Sequence, residues 1–139
     1  MSDFDPLDPA SYHHWATEHV RFADLDMLGH VNNKAYATYY ETSRITYFGS
    51  RGLSDGVSYG MALVRLEIDY RKEIRFPATL KLGVRLCRLG GSSVTLACAI
   101  FDGEACASTS KAIVVRFDGK ARASKPFTPE ERAALEQDL

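Results

Sequence analysis

The chain has 139 residues, 45% of them hydrophobic and 25% charged, with a formal net charge of −1 at pH 7. That length holds one domain with a real core rather than two, and so slight a charge supplies no basic surface for nucleic acid or an anionic membrane. No apolar run approaches the roughly 20 residues needed to span a bilayer, and the acidic start Met1-Ser-Asp-Phe-Asp-Pro-Leu-Asp-Pro9 lacks the basic and apolar regions of a secretion signal.

In chain order, residues 1–13 read as a loose leader, and Thr17 to Phe22 as a first strand. Asp24 and Asp26 then lead to a turn at Gly29, after which Asn32 and Asn33 open a helix running to about Phe48. Tyr36, Tyr40, Ser43 and Tyr47 step by four, three and four residues, the spacing of one helical face, and Tyr39 widens the stripe. Lys34, Glu41 and Arg44 are its main charges, so the helix is expected to be buried with something wrapped around it. Gly49 and Gly52 are the candidate stops.

The second half is written as strands. Val64, Leu66, Ile68 and Tyr70 alternate with Arg65, Glu67, Asp69 and Arg71, the pattern of a half-buried strand. After Pro77, alternation resumes from Ala78 to Cys87, turns at Gly90-Gly91, continues from Val94 to Ile100, turns at Asp102-Gly103 and ends with a strand from about Ala105 to Phe117. Hairpin-length turns predict four sequential antiparallel neighbours. In the tail, residues 119–139, Thr128-Pro-Glu-Glu131 supplies an N-cap, a first-turn proline and a capping-box glutamate for a short helix.

The predicted class is therefore α+β: one five-stranded antiparallel sheet curling around one apolar helix, with a short C-terminal helix, in a single domain over residues 1–139. Such a sheet leaves edges, and edges invite pairing, so a homodimer joined at a sheet edge is expected. Cys87, Cys98 and Cys106 are odd in number, form no Cys-x-x-Cys pair and lie in strand segments. They read as reduced packing residues of a cytoplasmic protein, and no Cys/His spacing fits a zinc site.

The chemistry concentrates between Arg21 and Arg44. A carboxylate near a helix start sits beside free N–H groups that attract negative charge. Such a pair can hold a carbonyl by its oxygen while the carboxylate attacks its carbon or activates water. The plainer reading of Asp26 is a turn or helix cap, and of Asn32 and Asn33 helix capping. Asp24 reads as structural, paired with Arg21 or Arg44, and Arg71, Lys72 and Arg75 form a basic cluster after the second strand.

The run Arg21-Phe-x-Asp-x-Asp-x-x-Gly-His-Val-Asn-Asn-x-x-Tyr-x-x-Tyr-x-Glu-x-x-Arg44, with the order of elements, resembles the hotdog-fold acyl-CoA thioesterases of the 4-hydroxybenzoyl-CoA thioesterase type. The resemblance extends from about Trp15 to Phe117. It implies a hotdog fold, hydrolysis of a thioester to a carboxylic acid and free CoA, no metal or redox cofactor, and active sites at the interface of a homodimer, itself paired into a homotetramer. It also assigns roles: Asp26 as the catalytic carboxylate, Gly29 as the turn glycine, and Asn33 as the residue whose backbone N–H meets the thioester oxygen. His30 is a candidate to orient substrate, and Tyr36 to line the acyl pocket. The CoA-contacting turn corresponds to Arg88-Leu-Gly-Gly-Ser-Ser93, with Arg88, Gly91 and Ser92 as contacts, although this turn has one arginine where related loops are more basic. Two other functions compete: a hydratase using Asp26 with His30, whose usual Asp-x-Asn-Pro-x-His pattern is absent, and a non-catalytic acyl-CoA-binding protein.

Overall fold

The chain runs through β1 (His14–His19), α1 (Asn33–Ser50), β2 (Met61–Tyr70), β3 (Thr79–Leu89), β4 (Ser93–Asp102), β5 (Ala105–Asp118), β6 (Ala123–Ser124) and α2 (Pro129–Glu136). These elements come from a computed structural model that describes residues 3–53 and 60–139. The strands form one curled antiparallel sheet in the order β1-β3-β4-β5-β2, with the short β6 on the end of β5.

The tyrosine stripe of α1 does what its spacing demands. Tyr39, Tyr40, Tyr47 and Phe48 are fully buried, packed in one cluster with Leu80, Leu82 and Val84 of β3 and Leu96 and Ile100 of β4. Each large apolar side chain so enclosed contributes about 1.5–3 kcal/mol relative to exposure. The buried hydroxyls find partners: Tyr40 donates to Ser108 Oγ at 2.7 Å, and Tyr39 to Asp24 Oδ2 at 2.6 Å. Burial pushes the Cys98 thiol up to about 12, and all three cysteines are free.

Both helix ends are specified locally. Asn32 caps α1, its side-chain oxygen accepting the Lys34 N–H at 2.9 Å. At the other end Gly52 takes φ +78°. Its N–H reaches the Gly49 carbonyl, and that of Leu53 the Phe48 carbonyl at 2.9 Å, the paired closure that a left-handed residue permits. Gly52 is thus the stop, and Gly49 lies inside the helix. The capping box Thr128–Glu131 opens α2 with Pro129 in the first turn.

Three expectations need correction. The first strand lies at His14–His19, earlier than Thr17–Phe22, because Asp24 Oδ2 accepts the Arg21 N–H at 2.9 Å and folds Phe22–Asp24 into a 3-10 turn. The leader is not loose. Tyr12 is buried, its hydroxyl donates to the Pro6 carbonyl at 2.6 Å, its ring meets Phe101 edge-on, and Arg85 covers the Phe4 ring. Residues 1 and 2 lie outside the described residues.

The third correction decides where the site lies. β3, β4 and β5 are sequential neighbours, whereas β2 pairs with β5 at the far edge. The β4–β5 register slips at Ile100/Phe101, leaving Ala107 bulged out of the pairing. Its carbonyl accepts the N–H groups of both Arg71 and Lys72, at 2.9 and 3.1 Å. The chain leaving β2 is therefore held to β5 and reaches β3 only after passing the end of the β4–β5 hairpin. No tight turn connects β2 to β3.

Candidate active site

The strand registers bring His19 opposite Thr79, Leu80 opposite Asp102 and Tyr70 opposite Ser108. One end of the sheet thus emits both the 20–32 segment, which leads into α1, and the 71–78 connection. These two segments are laced together. His30 pairs with Arg75, the Val31 N–H donates to the Ile74 carbonyl at 2.9 Å, and Ile74 is itself fully buried. Between them opens a cleft of about 410 Å³, lined by Asp26, Leu28, His30, Val31, Asn33 and Tyr36 on one side and Tyr70, Arg71, Lys72 and Glu73 on the other. A hollow of about 430 Å³ near Gly52 and Lys125 has less to offer chemically, since its Arg116 is held by Glu131 at 2.8 Å and by the Gly60 carbonyl at 2.7 Å.

Asp26 is both cap and cleft residue. Its Oδ1 accepts the N–H groups of Leu28 at 2.9 Å and His30 at 3.3 Å, while its own N–H donates to the His30 carbonyl at 2.8 Å. Gly29 closes this turn at φ +82°, a conformation that side chains resist. Oδ2 of Asp26 has no hydrogen-bond partner among the described residues.

Asn33 is the first residue of α1. The N–H groups that follow it are consumed by Asn32, that of Lys34 by the side chain and that of Ala35 by the carbonyl at 2.9 Å. The Asn33 N–H is left without a partner among the described residues, at the positive end of the helix. The amide and the free carboxylate oxygen thus belong to residues lining one cleft.

The His30 ring turns to the opposite wall, its Nε2 lying 2.5 Å from Oε2 of Glu73, whose other oxygen lies 3.3 Å from Arg75. Tyr36 is buried, packs edge-on against Tyr70 at 4.9 Å, and donates a long bond of 3.4 Å to the Lys72 carbonyl. Burial raises its phenol pKa, which keeps it neutral. Asp24 caps the Arg21 turn, 3.8 Å from the Arg21 guanidinium.

Asp26, Gly29, His30, Asn33 and Tyr36 are thus brought together. Arg88, Gly91 and Ser92 are not. They sit on the β3–β4 hairpin, at the opposite end of β3, about 30 Å from its start at 3.3 Å per residue. There the Gly91 carbonyl accepts the Phe127 N–H of the C-terminal segment, and the Ser92 carbonyl accepts the Arg116 N–H of β5. Within one chain this hairpin contributes nothing to the cleft. Conversely, Tyr70 and Glu73 line it without having been singled out from the sequence. Glu73 lies within Arg71-Lys-Glu-Ile-Arg75, where the cations draw the eye.

Among the described residues no three His, Cys, Asp or Glu converge as metal ligands, and no helix is long and apolar enough to cross a membrane.

Comparison with known proteins adds to this geometry. A protein of Bacillus subtilis (strain 168), the uncharacterised YsmA, is 29% identical over 119 residues, which are 84% of this chain and 80% of that one. The crystal structure of the PA5185 protein from Pseudomonas aeruginosa PAO1 superposes with a TM-score of 0.86 at 30% identity, over 96% of each chain. A Thermus thermophilus thioesterase solved with coenzyme A and zinc superposes with a TM-score of 0.81 at 30% identity, over 89% of this chain and 98% of that one. The fold is the hotdog fold of such thioesterases. The model of one family matches residues 20–135, from the start of the Asp26 loop through most of α2, and the chain belongs to that family, the thioesterase-like superfamily.

Proposed function

We propose that this protein hydrolyses an acyl-CoA thioester to a carboxylic acid and free CoA in the cleft between Asp26 and Asn33. One observation carries the reading: a carboxylate oxygen and a helix-start N–H, both without a partner among the described residues, belong to residues of the same cleft. The CoA bound to the Thermus thioesterase, 30% identical over 89% of this chain, supports CoA as the carrier.

In this mechanism the thioester oxygen accepts the Asn33 N–H, whose fixed position stabilises the developing negative charge by roughly 3 kcal/mol. Asp26 Oδ2 then attacks the carbonyl carbon, expelling the CoA thiolate and leaving a mixed anhydride that water cleaves, or it takes a proton from the attacking water. Tyr36 and Tyr70 offer aromatic walls to the acyl group, and Arg71 and Lys72 offer cations to the CoA phosphates. The free thiols suit a reducing, cytoplasmic setting.

The test is release of free thiol from a panel of acyl-CoAs, beside a hydration assay on an enoyl-CoA. Thiol release that Asp26→Asn abolishes supports the proposal. Binding without release from any panel member overturns it in favour of a non-catalytic acyl-CoA-binding protein. Hydration alone would favour the Asp–His hydratase, which the engagement of the His30 ring by Glu73 rather than Asp26 disfavours.

We also propose a homodimer joined at a sheet edge. β1 and β2 are the two edges, and β2 leaves Val64 61%, Tyr70 50% and Leu63 43% exposed. Light scattering at micromolar concentration should give twice the chain mass, or four times for a homotetramer. A monodisperse monomer would contradict it.

A further inference from the structure

We infer that Glu73 is a positioning residue of this cleft, fixing the His30 ring so that Nδ1 is its one free acceptor. The inference rests on the hydrolase reading above and goes beyond it. Glu73 is a carboxylate on a cleft wall whose other charged residues are Arg71 and Lys72, and a wall that serves only to attract phosphate gains nothing from a negative charge. Yet its Oε2 lies 2.5 Å from His30 Nε2. Two lone pairs that close would repel, so Nε2 carries the ring proton.

The main chain of His30 is fixed as well. Its N–H donates to Asp26 Oδ1, its carbonyl accepts the Asp26 N–H, and it pairs with Arg75 across the cleft wall. With backbone and Nε2 both held, Nδ1 has no partner among the described residues. A neutral imidazole so oriented accepts a hydrogen bond at Nδ1. Both hydrolytic routes need an oriented water, to cleave the anhydride or to attack directly. Nδ1 supplies an acceptor for that water in the cleft that Asp26 and Asn33 also line. Glu73 then acts through His30, as a carboxylate holds the tautomer of a catalytic imidazole elsewhere.

The experiment pairs steady-state kinetics with 15N NMR of histidine-labelled protein at a pH where imidazoles are neutral, the His30 signals being assigned by their loss in His30→Asn. The wild type should show Nε2 protonated and Nδ1 bare. In Glu73→Gln the amide can either donate or accept, so the tautomers should mix, and kcat should fall about tenfold with KM within about twofold. Glu73→Asp keeps the acceptor and should restore the single tautomer and most of kcat. A simple clamp between two surface loops would lower the melting temperature and move neither readout. The proposal is overturned if wild-type His30 carries its proton on Nδ1, or if tautomer and kcat do not change together in Glu73→Gln. Should the wild type release no thiol from any acyl-CoA, the hydrolase reading fails by itself, and the spectra still decide whether Glu73 sets the ring.

Discussion

Asp138 grips Arg51 at two points, with Nε 2.5 Å from Oδ2 and Nη2 2.8 Å from Oδ1, so the end of α2 is tied to the end of α1. Tyr47 donates to the same Oδ2 at 2.7 Å. Burial pushes the Asp138 carboxyl upward, but the bonds from Arg51 and Tyr47 outweigh it and leave the pKa below its ordinary 3.8. A carboxylate depressed in the folded state contributes stability above its unfolded pKa and loses it as pH falls through the folded value. The protein should therefore lose stability as pH drops below about 4. Asp138→Asn should be less stable at pH 7 and flatter in its acid response. Thermal unfolding at pH 7 and pH 3 checks this, and parallel melting curves for the two proteins would refute it.

Asp26→Asn should separate chemistry from folding. The amide oxygen can still accept the Leu28 and His30 N–H groups, so the turn survives while the anion is lost. The expected result is a fall in kcat of at least about two orders of magnitude with a nearly unchanged melting temperature. Near-native turnover would remove Asp26 from the mechanism.

Gly29→Ala tests the turn itself. No atom lies within 4 Å of where a Cβ would sit, so the cost is conformational, about 1–2 kcal/mol for a side chain at φ +82°. Denaturant midpoints should show that loss, and Gly29→Asn should lose less, because asparagine tolerates this region. Equal stability of Gly29→Ala and wild type would mean that the loop adopts another backbone.

Gly83 is where the leader crosses the sheet. A Cβ there would stand 2.8 Å from Cγ of Tyr12 and 3.2 Å from Trp15, both ring atoms with little room to give. Gly83→Ala should cost about 1–3 kcal/mol and loosen residues 3–12. Limited proteolysis should cut that segment faster in the variant, and unchanged cutting would count against the packing described.

Features set by neighbouring residues were legible in the sequence. The spacing of Tyr36, Tyr40 and Tyr47, the Thr128–Glu131 box and the glycine turns each act within a few residues, and each recurs in the structure. The place of β2 was not legible, because alternation along Val64–Tyr70 records which face is apolar and not which strand lies beside it. β5, more than thirty positions downstream, makes that choice by pairing with β2 from Met61 to Tyr70, and the Ala107 carbonyl extends the hold to Arg71 and Lys72. The site divided in the same way. Asp26, Gly29, His30 and Asn33 are contiguous and could be read as a group, whereas Glu73 joins them only through the lacing of two loops. Arg88 shows the converse, since distance along β3 cannot be seen in a motif, and its turn lies at the far end of that strand from this chain's own cleft.

The cleft's second wall hangs directly from the terminal residue of an edge strand. Anything that pairs along β2 is joined through Tyr70 to Arg71, Lys72 and Glu73 without an intervening hinge, so the proposed assembly and the proposed turnover would share one mechanical linkage. Loosening that border should register in catalysis even where no altered atom comes near the thioester.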